Sequence, residues 1–328
     1  MAAQVRIGTS FSPHRASFLG LDPRATFEAV LGLDLGLIRL SAYWDEIRGK
    51  GYSELDWMLE TAAAAGRPIL LTVGMKGIQW PEFYLPADQV PKTAGRGACL
   101  GSDPGLREAV VGFVGETVAR YQDRAGIVAW QVENEPFNKS GPNKWWIDPT
   151  LIEQEVAVVR ALDSRPIVLN TFAHFDLLND WFSRPHRNLL DLAGEVPEEE
   201  ALRAVRAADV LGLDIYTHIG VAILGFEIVR TAAPDWAQSA QRWLQAAAAE
   251  GKEAWIIECQ AEPWEPTKDT YAEPKSLTPE EIAGIYGHLA AAGFTTILLW
   301  GCEYWLWRAG TGDSRWLDAV NGLLGKPG

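Results

Sequence analysis

The sequence predicts an α/β protein of the (β/α)8 TIM barrel class, one domain over residues 1–328, with extended loops after strands three, four, six and seven. Three observations lead there. Short β-branched apolar runs alternate with amphipathic helical stretches, the pattern of βαβ units around a parallel sheet. Eight such repeats share 328 residues, about 41 each, and a barrel of this kind needs about 250 residues with the surplus going to loops. No glycine-rich phosphate motif follows any strand, which removes the main support for a doubly wound open sheet.

The eight predicted strands are Val5 to Thr9, Leu37 to Ser41, Pro68 to Val73, Ile127 to Val132, Ile167 to Asn170, Val210 to Asp214, Ala254 to Glu258 and Thr296 to Trp300. Each is short and bounded by polar or turn residues. The predicted helices are Ala25 to Leu33, Glu54 to Ala65, Gly105 to Tyr121, Leu151 to Leu162, Glu198 to Ala207, Trp236 to Glu250, Pro279 to Ala292 and Arg315 to Leu323. Asp103 before Pro104, Asp148 before Pro149, and Thr278 before Pro279 with Glu281 in the first turn are helix-start signals, because their side chains reach orphan backbone N–H groups. Gly66, Gly126, Gly251 and Gly293 mark helix ends.

The long segments run from Gly74 to Ser102, Glu133 to Asp148, Ile215 to Pro234 and Cys259 to Leu277. All of them follow strands, and loops after strands form the barrel face that carries active sites. The apolar stretch from Ile219 to Val229, too short to span a bilayer and interrupted by Glu227, reads as a loop or lid.

Composition excludes several classes of partner. The formal charge of −14 argues against nucleic acid and against anionic membrane surfaces, both of which call for clustered Lys or Arg. Three scattered cysteines and no leader-like apolar run at the first residues give the expectation of a cytoplasmic protein. Neither Cys259 nor Cys302 completes a metal-ligand set with neighbouring His or Cys, so no metal and no cofactor is expected.

The chemistry resides at two strand ends. Strand four closes with Gln131, Val132, Glu133, Asn134, Glu135, Pro136, and strand seven closes with Trp255, Ile256, Ile257, Glu258. A carboxylate ending an apolar strand belongs at the barrel mouth, since an unpaired one inside the core is costly. Strands four and seven face each other across an eight-stranded barrel. A carboxylate pair about 5 to 5.5 Å apart is what a retaining glycosidase uses, one as acid then base and the other as nucleophile.

At these residues the sequence resembles the retaining glycoside hydrolases of clan A, a (β/α)8 group that includes β-galactosidases, β-glucosidases, mannanases and cellulases. The run Gln131 to Glu135 is similar to the strand-four motif of the clan's β-galactosidases, whereas Pro136 is closer to the cellulase and mannanase pattern. Glu258, Cys259, Gln260, Pro263 and Trp264 are similar to the segment after the nucleophile in some β-galactosidases. The resemblance implies Glu135 as acid/base, Glu258 as nucleophile and Asn134 on the sugar 2-hydroxyl. It further implies Arg39 and Tyr216 beside the nucleophile and Trp300 beneath the sugar. Strand three, ending Val73, Gly74, Met75, lacks the histidine that family 5 enzymes place there.

Other positions have two readings each. Glu133 shares the face of Glu135 if strand alternation continues, and is either a substrate ligand or an ion-pair partner deeper in the barrel. Glu303 is a sugar-hydroxyl acceptor or a loop salt bridge, and His174 ends strand five where it can contact substrate. Of the 15 tryptophans, Trp80, Trp145, Trp146, Trp264, Trp300, Trp305 and Trp307 are assigned to strand ends or loops, which makes them candidates for stacking on sugar C–H faces. Trp80, Trp264 and Trp305 are the foremost of the loop candidates. The expected substrate is an oligosaccharide or glycoside, cleaved by exo-acting double displacement. An endo-acting β-glucanase or β-mannanase is the alternative within the class, and a noncatalytic sugar-binding barrel the alternative outside it.

Overall fold

The structure is a computed structural model. It describes residues 4–173, 203–204, 206–223, 226–267 and 270–325. Eight parallel strands close into a barrel, and each strand's neighbours are those next to it in sequence. They are β1 (Arg6–Ser10), β2 (Leu37–Ser41), β3 (Ile69–Val73), β4 (Ile127–Val132), β5 (Ile167–Ala173), β6 (Val210–Ile215), β7 (Glu253–Gln260) and β8 (Thr296–Trp300). Ten helices are present among the described residues, and none is long and apolar enough to cross a membrane.

The chain divides into two compact units. Among the described residues the first comprises 4–36, 173, 213–223, 226–267 and 270–325, and the second 37–172, 203–204 and 206–212. In the second unit β2 pairs with β3 from Ile38↔Ile69 to Ser41↔Thr72, and β3 pairs with β4 up to Val73↔Val132. Strands β2 and β3 are buried along their whole length, as expected where both faces of a parallel sheet are covered. The helices Pro104–Tyr121 and Pro149–Leu162 pack on each other outside these strands. Asp103 and Asp148 cap them by accepting from the backbone N–H groups of Leu106 and Thr150.

In the first unit β1 pairs with β8 from Arg6↔Thr296 to Thr9↔Leu299. Strand β7 pairs with β8 as well, but the register shifts between Ile256 and Cys259. Helix Pro279–Ala292 begins with a capping box between Thr278 and Glu281 and ends at Gly293, whose φ of 107° a side chain would strain.

Three features depart from the sequence reading. The stretch Ile219 to Val229 is an antiparallel hairpin, His218–Ile223 against Phe226–Thr231, since its alternating β-branched residues pair locally. Helices Pro13–Leu19 and Trp44–Lys50 follow β1 and β2 after two residues each, in segments to which the sequence pattern assigns no element. Residues Cys302–Gly310 form a helix too, so Trp305 and Trp307 are helical residues. Most of the helix predicted at Glu198 to Ala207 lies outside the described residues.

Candidate active site

Strand β4 stops at Val132, and the next three residues leave the sheet in a tight turn. Glu133 and Glu135 have φ of 58° and 44°, the left-handed region that non-glycine residues rarely adopt and that accompanies functional geometry. Three neutral polar side chains and two cations hold this turn. The Glu135 N–H donates to Asn170 Oδ1 at 2.8 Å, and Asn170 Nδ2 donates to Asn134 Oδ1 at 2.9 Å. Gln131 Nε2 donates to both the Glu133 carbonyl and Asn170 Oδ1, each at 2.8 Å. Arg39, wholly buried on β2, donates to Asn134 Oδ1 at 2.5 Å.

The second cation is Lys76, whose side chain has no exposed surface. Its ammonium donates to the Glu135 carbonyl at 2.7 Å and lies 3.9 Å from Glu135 Oε2 and 3.4 Å from Glu82 Oε2. Asn138 Nδ2 also donates to Glu135 Oε2, at 3.2 Å. The Glu135 side chain is therefore fixed in place from the loop after β3 and from its own turn.

Glu133 is not available to a ligand. Because the strand has ended, its side chain turns back under the β3 exit, where it accepts from the Met75 N–H at 2.8 Å and the Lys76 N–H at 2.5 Å. A β-carbon at Gly74 would sit 2.2 Å from the Glu133 carboxyl carbon, so the two fit only with glycine there. Behind Glu133 lies Glu155 of helix Pro149–Leu162, also fully buried. Burial raises Glu133 to about 7 against the two backbone donors, and burial together with the Glu133 charge raises Glu155 well above the carboxylate range. Burial beside the Glu133 charge thus favours the protonated form of Glu155. Glu155 gave no signal in the sequence beyond a charge in an amphipathic helix.

In the first unit Glu258 falls inside the register shift of β7. A bulge of this kind turns a side chain away from regular alternation, and such bulges recur beside functional sites. Tyr216, just past the end of β6, donates its hydroxyl to Glu258 Oε2 at 2.6 Å. Asp214 near the end of β6 is fully buried and brings a carboxylate oxygen within 4.8 Å of Glu258. Gln260 ties the following turn together, accepting from the N–H groups of Thr217 and His218 and donating to the His218 carbonyl at 2.6 Å.

The aromatic candidates separate clearly. Trp264 is 39% exposed and meets the Tyr216 ring edge-on at 4.8 Å. Trp300 is partly exposed, and its indole N–H donates to Glu262, which Arg15 grips at 3.0 Å. Trp80, in the loop after β3, is 60% exposed. Trp305 has no exposed surface and donates to the Ala261 carbonyl; it packs the helix Cys302–Gly310 and presents no face to a sugar. Glu303 is buried in the first turn of that helix, accepting from the Ser12 N–H, and burial raises it to about 7. Among the described residues no salt bridge to Glu303 is found, and it is buried to the same degree as Glu258. His174 lies outside the described residues.

Neither a family model nor a curated protein sequence matches the chain. Solved structures do match. The chain is similar to a GH5_18 protein from Streptomyces cattleya, solved in complex with GlcNAc, at 15% identity and TM-score 0.60 over 92% of this chain and 71% of that one. It is similar to the exo-beta-1,4-mannosidase Op5Man5 from Opitutaceae bacterium strain TAV5, at 13% identity and TM-score 0.57, with 92% and 52% covered. A cold-adapted beta-galactosidase from Rahnella sp. R3 aligns at 12% identity and TM-score 0.57, with 91% and 50% covered. The chain spans about half the length of the last two, and the three likenesses show a common barrel fold.

Proposed function

We propose that the chain is a retaining β-glycosidase, exo-acting on β-linked glycosides, with Glu135 as acid/base and Glu258 as nucleophile. One observation carries the reading. Each residue lies within three residues of the C-terminal end of a strand of the same parallel barrel, Glu135 held by Lys76 and Asn138 and Glu258 by Tyr216, in a backbone geometry that departs from regular strand. Structures of this fold at low identity include a beta-galactosidase and an exo-beta-1,4-mannosidase, which supports the same class of chemistry.

In the first step the Glu258 carboxylate attacks the anomeric carbon while Glu135 delivers its proton to the departing oxygen. Tyr216 restrains the nucleophile by its hydrogen bond, and Asn134, held by Arg39 and Asn170, offers its amide nitrogen to a sugar hydroxyl. Once the glycosyl ester forms, the negative charge of Glu258 is gone. Glu135, left as a carboxylate when its proton departed with the leaving group, takes a proton from the water that attacks the anomeric carbon, which frees the Glu258 carboxylate and restores the acid. Trp300 and Trp264 offer ring faces for the glycone.

The test is Glu258→Gly assayed on aryl β-galactoside, glucoside, mannoside and fucoside, with and without azide. The expected outcome is a loss of roughly a thousandfold or more in kcat, with azide restoring cleavage and giving an α-glycosyl azide. An inactive variant that azide does not restore removes Glu258 from the nucleophile role. The sugar that wild type cleaves best identifies the glycone.

A further inference from the structure

Trp80 is displayed in a way that packing does not explain. Tryptophan is ordinarily placed where its large apolar surface is covered, yet this one is 60% exposed on a loop whose other aromatic residues are buried or half-buried. The loop spends conformational energy to hold it there. Gln79 and Glu82, on either side, have φ of 75° and 71°, and non-glycine residues in that region cost about 1 to 3 kcal/mol each.

The loop is also rigid. Residues 75–84 close on themselves: the Gly77 N–H donates to the Glu82 carbonyl, the Glu82 N–H to the Gln79 carbonyl, and the Tyr84 N–H to the Met75 carbonyl, at 2.8 to 2.9 Å. The buried Tyr84 hydroxyl lies within 3.3 Å of the carbonyls of Ile78, Gln79 and Trp80. Exposed, strained and rigid together are the marks of a platform.

The loop is fastened to the turn that bears Glu135. Lys76 donates to the Glu135 carbonyl and pairs with both Glu82 and the Glu135 carboxylate. The Asn134 N–H donates to the Lys76 carbonyl, and Glu133 takes the N–H groups of Met75 and Lys76. Further along, Gly141 lies so close to the Pro81 carbonyl that an added β-carbon would sit 2.7 Å from it. The position of Trp80 is thereby fixed to that of Glu135 through this shared network.

We propose that Trp80 is the aromatic platform of the aglycone subsite, stacking on the C–H face of a sugar ring in the leaving group. The inference rests on the hydrolase reading. Glu135 protonates the oxygen that departs with the aglycone, so an aromatic face fastened to the Glu135 turn serves the leaving side of the bond rather than the glycone side. The substrate class is accordingly a di- or oligosaccharide whose second residue is a pyranoside.

The experiment compares Trp80→Ala and Trp80→Phe with wild type on two substrates sharing the glycone that the aryl panel selects. One is a β-1,4-linked disaccharide and the other the β-glycosyl fluoride, whose leaving group has no ring. The expected result is that Trp80→Ala lowers kcat/KM on the disaccharide about tenfold, the size of one lost stacking contact, and leaves the fluoride within about twofold of wild type. Trp80→Phe recovers most of the loss. Equal effects on both substrates, or none on the disaccharide, overturn the aglycone assignment while leaving the hydrolase reading intact. A wild type that cleaves neither substrate nor any glycoside of the panel overturns both.

Discussion

Replacing Glu155 by glutamine isolates the proton that two buried carboxyl groups hold behind the Glu135 turn. Glu155 and Glu133 are both without exposed surface, and burial with mutual repulsion raises Glu155 well above its ordinary value of 4.5. The folded protein therefore binds a proton there that the unfolded chain releases once the pH passes about 4.5. A raised folded value contributes stability below the unfolded value, and that stability is lost as pH rises toward the folded one. Each pH unit within that window costs about 1.4 kcal/mol for one retained proton. Wild type thus loses stability through this group as pH rises above the unfolded value, whereas Glu155→Gln, which does not titrate, loses none of it. Urea unfolding at pH 5, 6 and 7 and constant ionic strength measures the difference. The variant is expected to gain on wild type as pH rises from 5 to 7, by at most about 1.4 kcal/mol per pH unit for one retained proton. Stability curves that stay parallel across this range refute the raised value and with it the neutral-acid assignment.

Three other outcomes follow from the same region. Lys76→Met leaves two carbonyls and two carboxylates without their buried cation, and is expected to lower unfolding stability by about 3 to 5 kcal/mol, read as a shifted urea midpoint at unchanged slope; a loss below about 1 kcal/mol contradicts the anchoring role. Gly74→Ala forces a β-carbon onto the Glu133 carboxyl at a φ of 126°, so a loss of roughly 3 kcal/mol is expected in thermal melts, and an unaltered melt would show that Glu133 moves freely. Glu135→Ala is expected to slow release of an alkoxide leaving group by roughly 10² to 10⁴-fold while sparing a dinitrophenolate, which departs without a proton; equal loss on both leaving groups argues against the acid/base role.

How far the sequence could be read depended on whether a residue's role is set by its own element or by another. Ile127 to Val132 is an apolar run with acids at its end, and Asp103, Asp148 and Thr278 stand before proline-led helices; such signals are local, and strands β4 and β7 and the caps lie where those signals put them. Glu133 leaves the face of Glu135 for a local reason as well: alternation extends only as far as the strand, and a positive φ at that residue ends it. Trp305 is a helical residue and not a loop residue because only Gly301 separates the end of β8 from the helix Cys302–Gly310.

Lys76 and Glu155 are a different case. In sequence one is a loop lysine and the other a charge among helical charges, and such residues are ordinarily solvated. Both are buried because a third element demands it: the Glu133 and Glu135 turn exposes carboxylates and carbonyls inward that only a cation and a proton donor can satisfy. The left-handed turn that brings Glu135 to the strand end is thus what forces a lysine from one loop and an acid from a neighbouring helix out of water. A sequence in which position 76 or 155 became apolar would keep every local signal of the barrel and leave the Glu135 turn without its buried partners.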